Sequence, residues 1–313
     1  MKTANNFLNT LISAPAPVIS LRPVILPVPG RGTGLEVKVS VPVEGHELSV
    51  IVFSHGFGSS MDGYAPLVDF WVSHGFVVIQ PTFLDSRTLK LDENDPRRPF
   101  IWKIRIDDVR NILDQLNYIE ASVPGLKGRV DHTRIAAAGH SFGAQTTAML
   151  LGSRMINADG SLSEDFSDSR IKAGVLLAVG GRGGDALSDF AKNHLPYLNQ
   201  SYAEMTTPSL VVAGDNDYSP LTVLGPEWFT DAYTMSPGAN RLVTLFGGEH
   251  MLGGISGYQV KETTDEDPDR VAAVQQLTWA YLRGALYPED SVWDRVSEDF
   301  MMKYGSVGKI DSK

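Results

Sequence analysis

The pentapeptide Gly139-His140-Ser141-Phe142-Gly143 sets a hydroxyl nucleophile between two glycines. It follows the apolar run Arg134-Ile135-Ala136-Ala137-Ala138 and precedes Ala144-Gln145-Thr146-Thr147-Ala148-Met149-Leu150-Leu151. A strand, a tight turn and a helix of small residues, in that order, are the context in which G-x-S-x-G forms a nucleophile elbow. The turn forces the serine into a strained backbone conformation, and a Cβ at 139 or 143 would collide with the adjoining strand or helix. The Ser141 hydroxyl would then stand at a helix N-terminus, whose free N–H groups favour developing negative charge. A bare pentapeptide of this kind also arises by chance in Gly/Ser-rich turns; the flanking pattern argues against that here.

A serine hydroxyl needs a base to take its proton and a third group to orient that base. The chain has seven histidines. His46, His74, His132 and His194 fall in turns or at helix ends, His140 is the variable elbow residue with its ring expected to point away from the serine, and His55 precedes Gly56 in a glycine-rich loop. His250 lies in Gly247-Gly248-Glu249-His250-Met251-Leu252-Gly253-Gly254, directly after an apolar run at 242–246, and is the expected base. The acid is expected from Gly214-Asp215-Asn216-Asp217-Tyr218-Ser219-Pro220, after the run at 210–213. Asp217 is favoured over Asp215, which is left a capping role. Glu249 is read as a loop brace.

Acyl transfer also requires N–H donors for the tetrahedral oxyanion, each worth roughly 3 kcal/mol. The backbone of Phe142 follows the nucleophile, and Gly56-Phe57-Gly58 lets the Phe57 amide approach closely. Phe100, Trp102, Tyr218, Trp228 and Met251, together with Phe57 and Phe142, are candidates for an apolar pocket wall.

Composition narrows the alternatives. With 313 residues and 42% hydrophobic content the chain can bury one large core, so a single domain over 1–313 is expected, with 1–20 and 290–313 peripheral. A net charge of −10 argues against a nucleic-acid partner. Absence of cysteine removes disulfides, thiolate metal sites and a cysteine nucleophile; no metal and no cofactor are expected. The N-terminal stretch around Phe7, Leu8, Leu11 and Ile12 is interrupted by asparagines and makes a poor signal peptide. No apolar run approaches membrane-spanning length. A cytoplasmic location is expected, with secretion and the oligomeric state left open.

Several elements must position these residues. Segments near 23–27 and 35–43 read as an antiparallel hairpin at a sheet edge. The run at 48–53 reads as a strand buried on both faces. A helix over 64–74, a strand over 76–79, a long charged loop to about 99, and a helix from about 104 to 119 lead to the elbow. Further strands follow at 173–179, 210–213 and 242–246, and Asp267 and Pro268 open a last helix running to about 286. Strands alternating with helices imply a mostly parallel sheet covered on both faces. The loop over 85–102 is long and ends in Pro99-Phe100-Ile101-Trp102. It either overhangs Ser141 as a pocket wall or staples the next helix to the sheet.

Phe53-Ser54-His55-Gly56-Phe57-Gly58, Ser73-His74-Gly75-Phe76-Val77-Val78, Asp107-Asp108-Val109-Arg110 and the elbow together resemble the α/β-hydrolase superfamily. Within it they are similar to the branch of dienelactone-hydrolase-like, chlorophyllase-like and platelet-activating-factor-acetylhydrolase-like proteins. The resemblance covers roughly 48–286 and implies an α/β-hydrolase fold of about eight strands. Chlorophyllases usually carry arginine after the nucleophile, where this chain has Phe142. In chlorophyllases and the acetylhydrolases the acid follows the strand after the elbow; here it moves to the next strand. The expected function is a serine carboxylic-ester hydrolase acting on a small to medium ester through Ser141, His250 and Asp217. A lipase or polyester-type hydrolase is the alternative within enzymes, and a non-catalytic small-molecule receptor is the alternative from another class.

Overall fold

The computed structural model describes residues 12–257 and 263–313. Phe7, Leu8 and Leu11, on which the signal-peptide reading rests, lie outside the described residues.

The hairpin forms as the alternation requires. β1 (Val18–Leu26) pairs antiparallel with β2 (Leu35–Pro42), and Leu35, Val37, Val39 and Val41 turn one face of β2 inward. β3 (Leu48–Ser54) is buried at every position, as a strand covered on both faces must be. Along it Val50 and Val52 join one apolar cluster and Ile51 and Phe53 the other, so a single strand divides the core into two layers.

The chain continues through α1 (Ala65–Ser73), β4 (Val77–Pro81), α2 (Ile101–Asp114), α3 (Leu116–Ser122), β5 (Val130–His140) and α4 (Phe142–Leu150). β6 (Arg154–Met155), β7 (Ile171–Leu177), α5 (Asp189–His194), β8 (Gln200–Ser201), β9 (Ser209–Gly214), α6 (Asp231–Met235) and β10 (Ala239–Leu245) follow. The described chain ends with α7 (Pro268–Leu286), α8 (Val292–Lys303) and β11 (Gly308–Ser312). The main sheet has nine strands in the order β1-β2-β4-β3-β5-β7-β9-β10-β11. β4 through β10 run parallel along this order. Residues of α2, α3 and α4 pack on one face and those of α1, α7 and α8 on the other. This is the α/β-hydrolase architecture expected, with one strand more than the eight anticipated.

The extra strand is a correction to the reading of 290–313 as peripheral. Val292, Val296 and Phe300 of α8 are buried, and β11 pairs antiparallel with β10 over Arg241–Leu245, closing the sheet edge. The helix expected over 104–119 is two helices, broken at Gln115. α7 opens as its residues require: the Asp267 carboxylate accepts hydrogen bonds from the N–H groups of Asp269 and Arg270, and Pro268 occupies the first turn.

Strand order reverses beside β3, since β4 lies on one side of it and β5 on the other. In open α/β sheets that switch point opens a crevice at the carboxyl ends of the strands. The loops after β3 and β5 both emerge there. Among the described residues no helix is long and apolar enough to cross a membrane.

Candidate active site

Ser141 sits between β5 and α4 with φ 54° and ψ −121°, a conformation L-residues avoid. The flanking glycines are required by close approach. A Cβ on Gly139 would stand 2.2 Å from the Gly143 carbonyl oxygen, and one on Gly143 would stand 2.0 Å from the Ser54 carbonyl oxygen. The strain holds the hydroxyl at the first turn of α4.

The loops after β9 and β10 deliver two further side chains to this point. Ser141 Oγ lies 2.8 Å from His250 Nε2, and His250 Nδ1 lies 2.9 Å from Asp217 Oδ2. Asp217 is fully buried while the His250 side chain is about one-third exposed, so the series runs from the interior to the pocket surface. Asp215 is turned the other way, its Oδ1 accepting the Gly247 N–H at 2.6 Å. That bond ties the acid loop to the histidine loop. Glu249 does the same, accepting from Asn216 Nδ2 at 3.2 Å and from the Thr264 hydroxyl.

Phe57 and Phe142 face one another across the site, with ring centroids 6.1 Å apart. Phe142 is the first residue of α4, and among the described residues neither its backbone N–H nor that of Phe57 is engaged in a hydrogen bond. Both line an apolar cavity of about 330 Å³ that opens on Ser141 and His250. Its walls include Ala178, Phe190, Leu195, Leu198, Leu221, Trp228 and Phe229. A second, more polar cleft on the same serine is lined by Ser59, Ser60, Tyr64, Arg87, Thr88 and Met251.

Of the five residues expected on the pocket wall beyond Phe57 and Phe142, Trp228 lines the cavity and Met251 the polar cleft. Phe100, Trp102 and Tyr218 line neither. Phe100 is 59% exposed on the turn before α2. Trp102 packs edge-on against Phe166 at 5.7 Å and against the core, which is the staple role. Tyr218 is 70% exposed because its neighbour Asp217 takes the inward direction. The long loop still reaches the site, through Arg87 and Thr88 near its start rather than through its aromatic end.

Two groups escaped the sequence reading. Phe190, Leu195, Tyr197 and Leu198 come from short elements between β7 and β9 that have no clear apolar period. Arg105 and Asp85 form a buried ion pair beside the loop after β3. Arg105 and Asp108 lie on the buried face of α2 with Ile101, Val109 and Ile112, and charges at apolar-face spacing were the available signal.

The two histidines beneath the site are neutral. His140 Nε2 is 2.7 Å from the His250 carbonyl oxygen and therefore donates to it, so Nδ1 accepts from the Tyr64 hydroxyl at 2.9 Å. The Tyr64 oxygen in turn accepts the Gly56 N–H at 3.0 Å. The elbow histidine thus points away from the serine and links the loop after β3 to the backbone of His250. His55 Nε2 accepts the Phe83 N–H at 3.1 Å, which leaves its proton on Nδ1, 2.7 Å from the Gly56 carbonyl oxygen.

Burial, then the Arg105 cation, lowers His55 to a pKa of about 3; burial, then His250, lowers His140 to about 3. Burial raises Asp108 to about 6 despite Arg31 beside it, and it raises Asp107 and Asp231 as well. Each histidine is protonated in the unfolded chain below about pH 6.5 but not in the folded one, so its contribution to stability is lost as pH falls. Asp108 acts oppositely between about pH 4 and 6, where the folded chain keeps a proton that the unfolded chain releases, and Asp107 and Asp231 act in the same direction as Asp108. The difference between the native chain and His140→Gln isolates one histidine. Urea unfolding at pH 6, 5 and 4 is expected to show a stability profile shallower in His140→Gln by about 1.4 kcal/mol per pH unit. Parallel profiles would mean that His140 is not held neutral.

A serine on a strained strand-to-helix turn is hydrogen-bonded through a histidine to an aspartate, these two coming from the loops after two later strands of a mostly parallel sheet. The fold is that of the α/β-hydrolase superfamily. A family model described as Chlorophyllase matches residues 32–167, which include the loop after β3 and the elbow. Among curated proteins, cutinase est1 of Thermobifida alba is 26% identical over 206 residues, covering 66% of this chain and 53% of the cutinase. Cutinase est2 of the same organism is 25% identical over 235 residues, covering 72% of this chain and 63% of the cutinase. The chain thus spans less than two thirds of the length of either relative.

Proposed function

We propose that this protein is a serine ester hydrolase. Ser141 Oγ attacks the ester carbonyl carbon, and His250 Nε2 takes the hydroxyl proton. Asp217 holds the imidazole in the tautomer that presents Nε2 and stabilises the imidazolium through Nδ1. The N–H groups of Phe57 and Phe142 receive the oxyanion. His250 returns its proton to the departing alcohol, leaving an acyl-enzyme. A water then attacks that acyl carbon as His250 takes the water's proton, and the carboxylic acid leaves as Ser141 regains its hydrogen.

The observation that carries this reading is the unbroken hydrogen-bonded series Asp217–His250–Ser141 at the mouth of an apolar cavity. A receptor on the same fold would have no use for the series. The cavity's roughly 330 Å³ corresponds to about ten water-sized groups at roughly 30 Å³ each, a fit for an acyl chain of medium length. p-Nitrophenyl esters of two to sixteen carbons are the test. Turnover is expected to peak near six to ten carbons and fall on either side; no turnover of any member sinks the proposal.

A second reading, the lipase or polyester-type hydrolase, is favoured by one feature. Phe57 and Phe190, which line the cavity, are about 60% exposed, and Tyr218 and Val223 nearby in sequence to its wall are more exposed still. Apolar groups around a pocket mouth suit contact with an apolar surface. The same ester measured below and above its solubility limit separates the readings, since a surface-acting enzyme gains rate when the substrate aggregates.

A further inference from the structure

Arg105 and Asp85 are the most deeply buried ion pair near the site, with side-chain exposures of 0% and 1%. Arg105 Nε donates to Asp85 Oδ1 at 2.9 Å. A buried pair of this kind is weak support for stability, because the cost of taking both charges from water offsets their attraction. What the pair holds is more informative than that it exists. Asp85 Oδ2 accepts the Gly58 N–H at 2.9 Å, and Arg105 Nη2 donates to the His55 carbonyl oxygen at 2.7 Å. These two bonds bracket Phe57 on either side along the loop after β3.

The guanidinium also lies over two rings. Its carbon lies 4.2 Å from the Phe83 centroid and 4.4 Å from that of Phe142, and Nη1 is 3.5 Å from Thr146 Oγ1 on α4. One planar group therefore contacts the loop that carries the Phe57 amide and the residue that carries the Phe142 amide. The two amides come from segments 85 residues apart in the chain; β3 and β5 pair side by side and Gly143 packs on Ser54, and the ion pair adds a bridge beyond the strand ends, at the residues that carry the amides.

We propose that the Arg105–Asp85 pair is the positioning element that sets the separation and direction of the two oxyanion N–H groups. The proposal rests on the serine-hydrolase reading above. Neither residue touches substrate. They act through Phe57 and Phe142, and the planar fork of arginine is needed because a lysine ammonium can neither present a planar group to two rings nor bond two loops at fixed angles. Displacing preorganised donors by a fraction of an ångström weakens binding of the transition state and leaves ground-state binding in the apolar cavity almost untouched.

Arg105→Lys and Asp85→Asn test this. The second variant keeps the side-chain shape but removes the counter-charge of the buried Arg105, and a single amide oxygen cannot serve both Gly58 and Arg105; Arg105→Lys keeps both charges and removes the planar fork. Active sites are counted by the burst of p-nitrophenol, so that any misfolded fraction drops out. Per titrated site, kcat is expected to fall about a hundredfold in each variant, with KM changed less than threefold. Affinity for an aliphatic trifluoromethyl ketone, which adds the serine to form an oxyanion, is expected to fall by the same factor as kcat/KM. If both variants keep native kcat per titrated site and the loss appears only in the number of sites, the pair is structural and the proposal is overturned. A native protein that neither turns over esters nor is labelled at Ser141 by a fluorophosphonate overturns the hydrolase reading itself, an outcome distinct from normal catalysis in the variants.

Discussion

Replacing Ser141 by alanine is expected to lower ester turnover by about four to six powers of ten, the scale on which loss of a triad nucleophile is felt. The hydroxyl is the only group at the elbow able to form the acyl bond, and His250 Nε2, 2.8 Å away, has no other nucleophile within the series to deprotonate. Folding should survive. The strained backbone at φ 54° is imposed by the glycines on either side rather than by the serine side chain, and alanine differs from serine by one oxygen. A circular dichroism spectrum and melting temperature like those of the native protein, together with loss of fluorophosphonate labelling, would complete the result. Turnover retained in the purified variant would end the assignment of Ser141.

The next largest effect is expected at Asp217. In Asp217→Asn the side-chain volume is kept, but the charge that stabilises the His250 imidazolium is gone and the amide favours the wrong imidazole tautomer. Turnover should drop by about a thousandfold or more. Asp215→Asn is the control, since its carboxylate accepts a backbone N–H from Gly247 at 2.6 Å and does not reach the imidazole. An asparagine oxygen can take over that bond, so less than a tenfold loss is expected there. The comparison is sharp because the two residues share one loop and one formal charge. If Asp215→Asn proves the worse variant, the roles of the two must be exchanged.

Much of this arrangement was legible in the chain. Gly139, Ser141 and Gly143 are so constrained by backbone contact that their spacing alone implies a strand, a turn and a helix. The position of His250 and Asp217 followed from two apolar runs, each ending in a glycine-rich loop, because parallel strands deliver the residues after them to one edge of a sheet. The all-buried pattern of 48–54 and the Asp267-Pro268 cap were equally local signals.

Tertiary structure decided what depends on contacts between distant segments. Trp102 and Phe100 read as pocket residues because aromatics in a charged loop look out of place; whether they meet the substrate or Phe166 depends on how α2 docks. The tail read as peripheral because β11 has no apolar alternation of its own, and an edge strand needs little, being held by backbone bonds to β10. The pocket wall from Phe190 to Leu198 is built from short elements without a period to recognise. Arg105 is the clearest case. A charge on a helix face is uninformative until Asp85 and Phe83, His55, and Phe142 are brought around it from three other segments. Local backbone chemistry was enough to single out Ser141 and the loops from which His250 and Asp217 emerge. What surrounds them is set by packing between parts of the chain that no spacing rule connects.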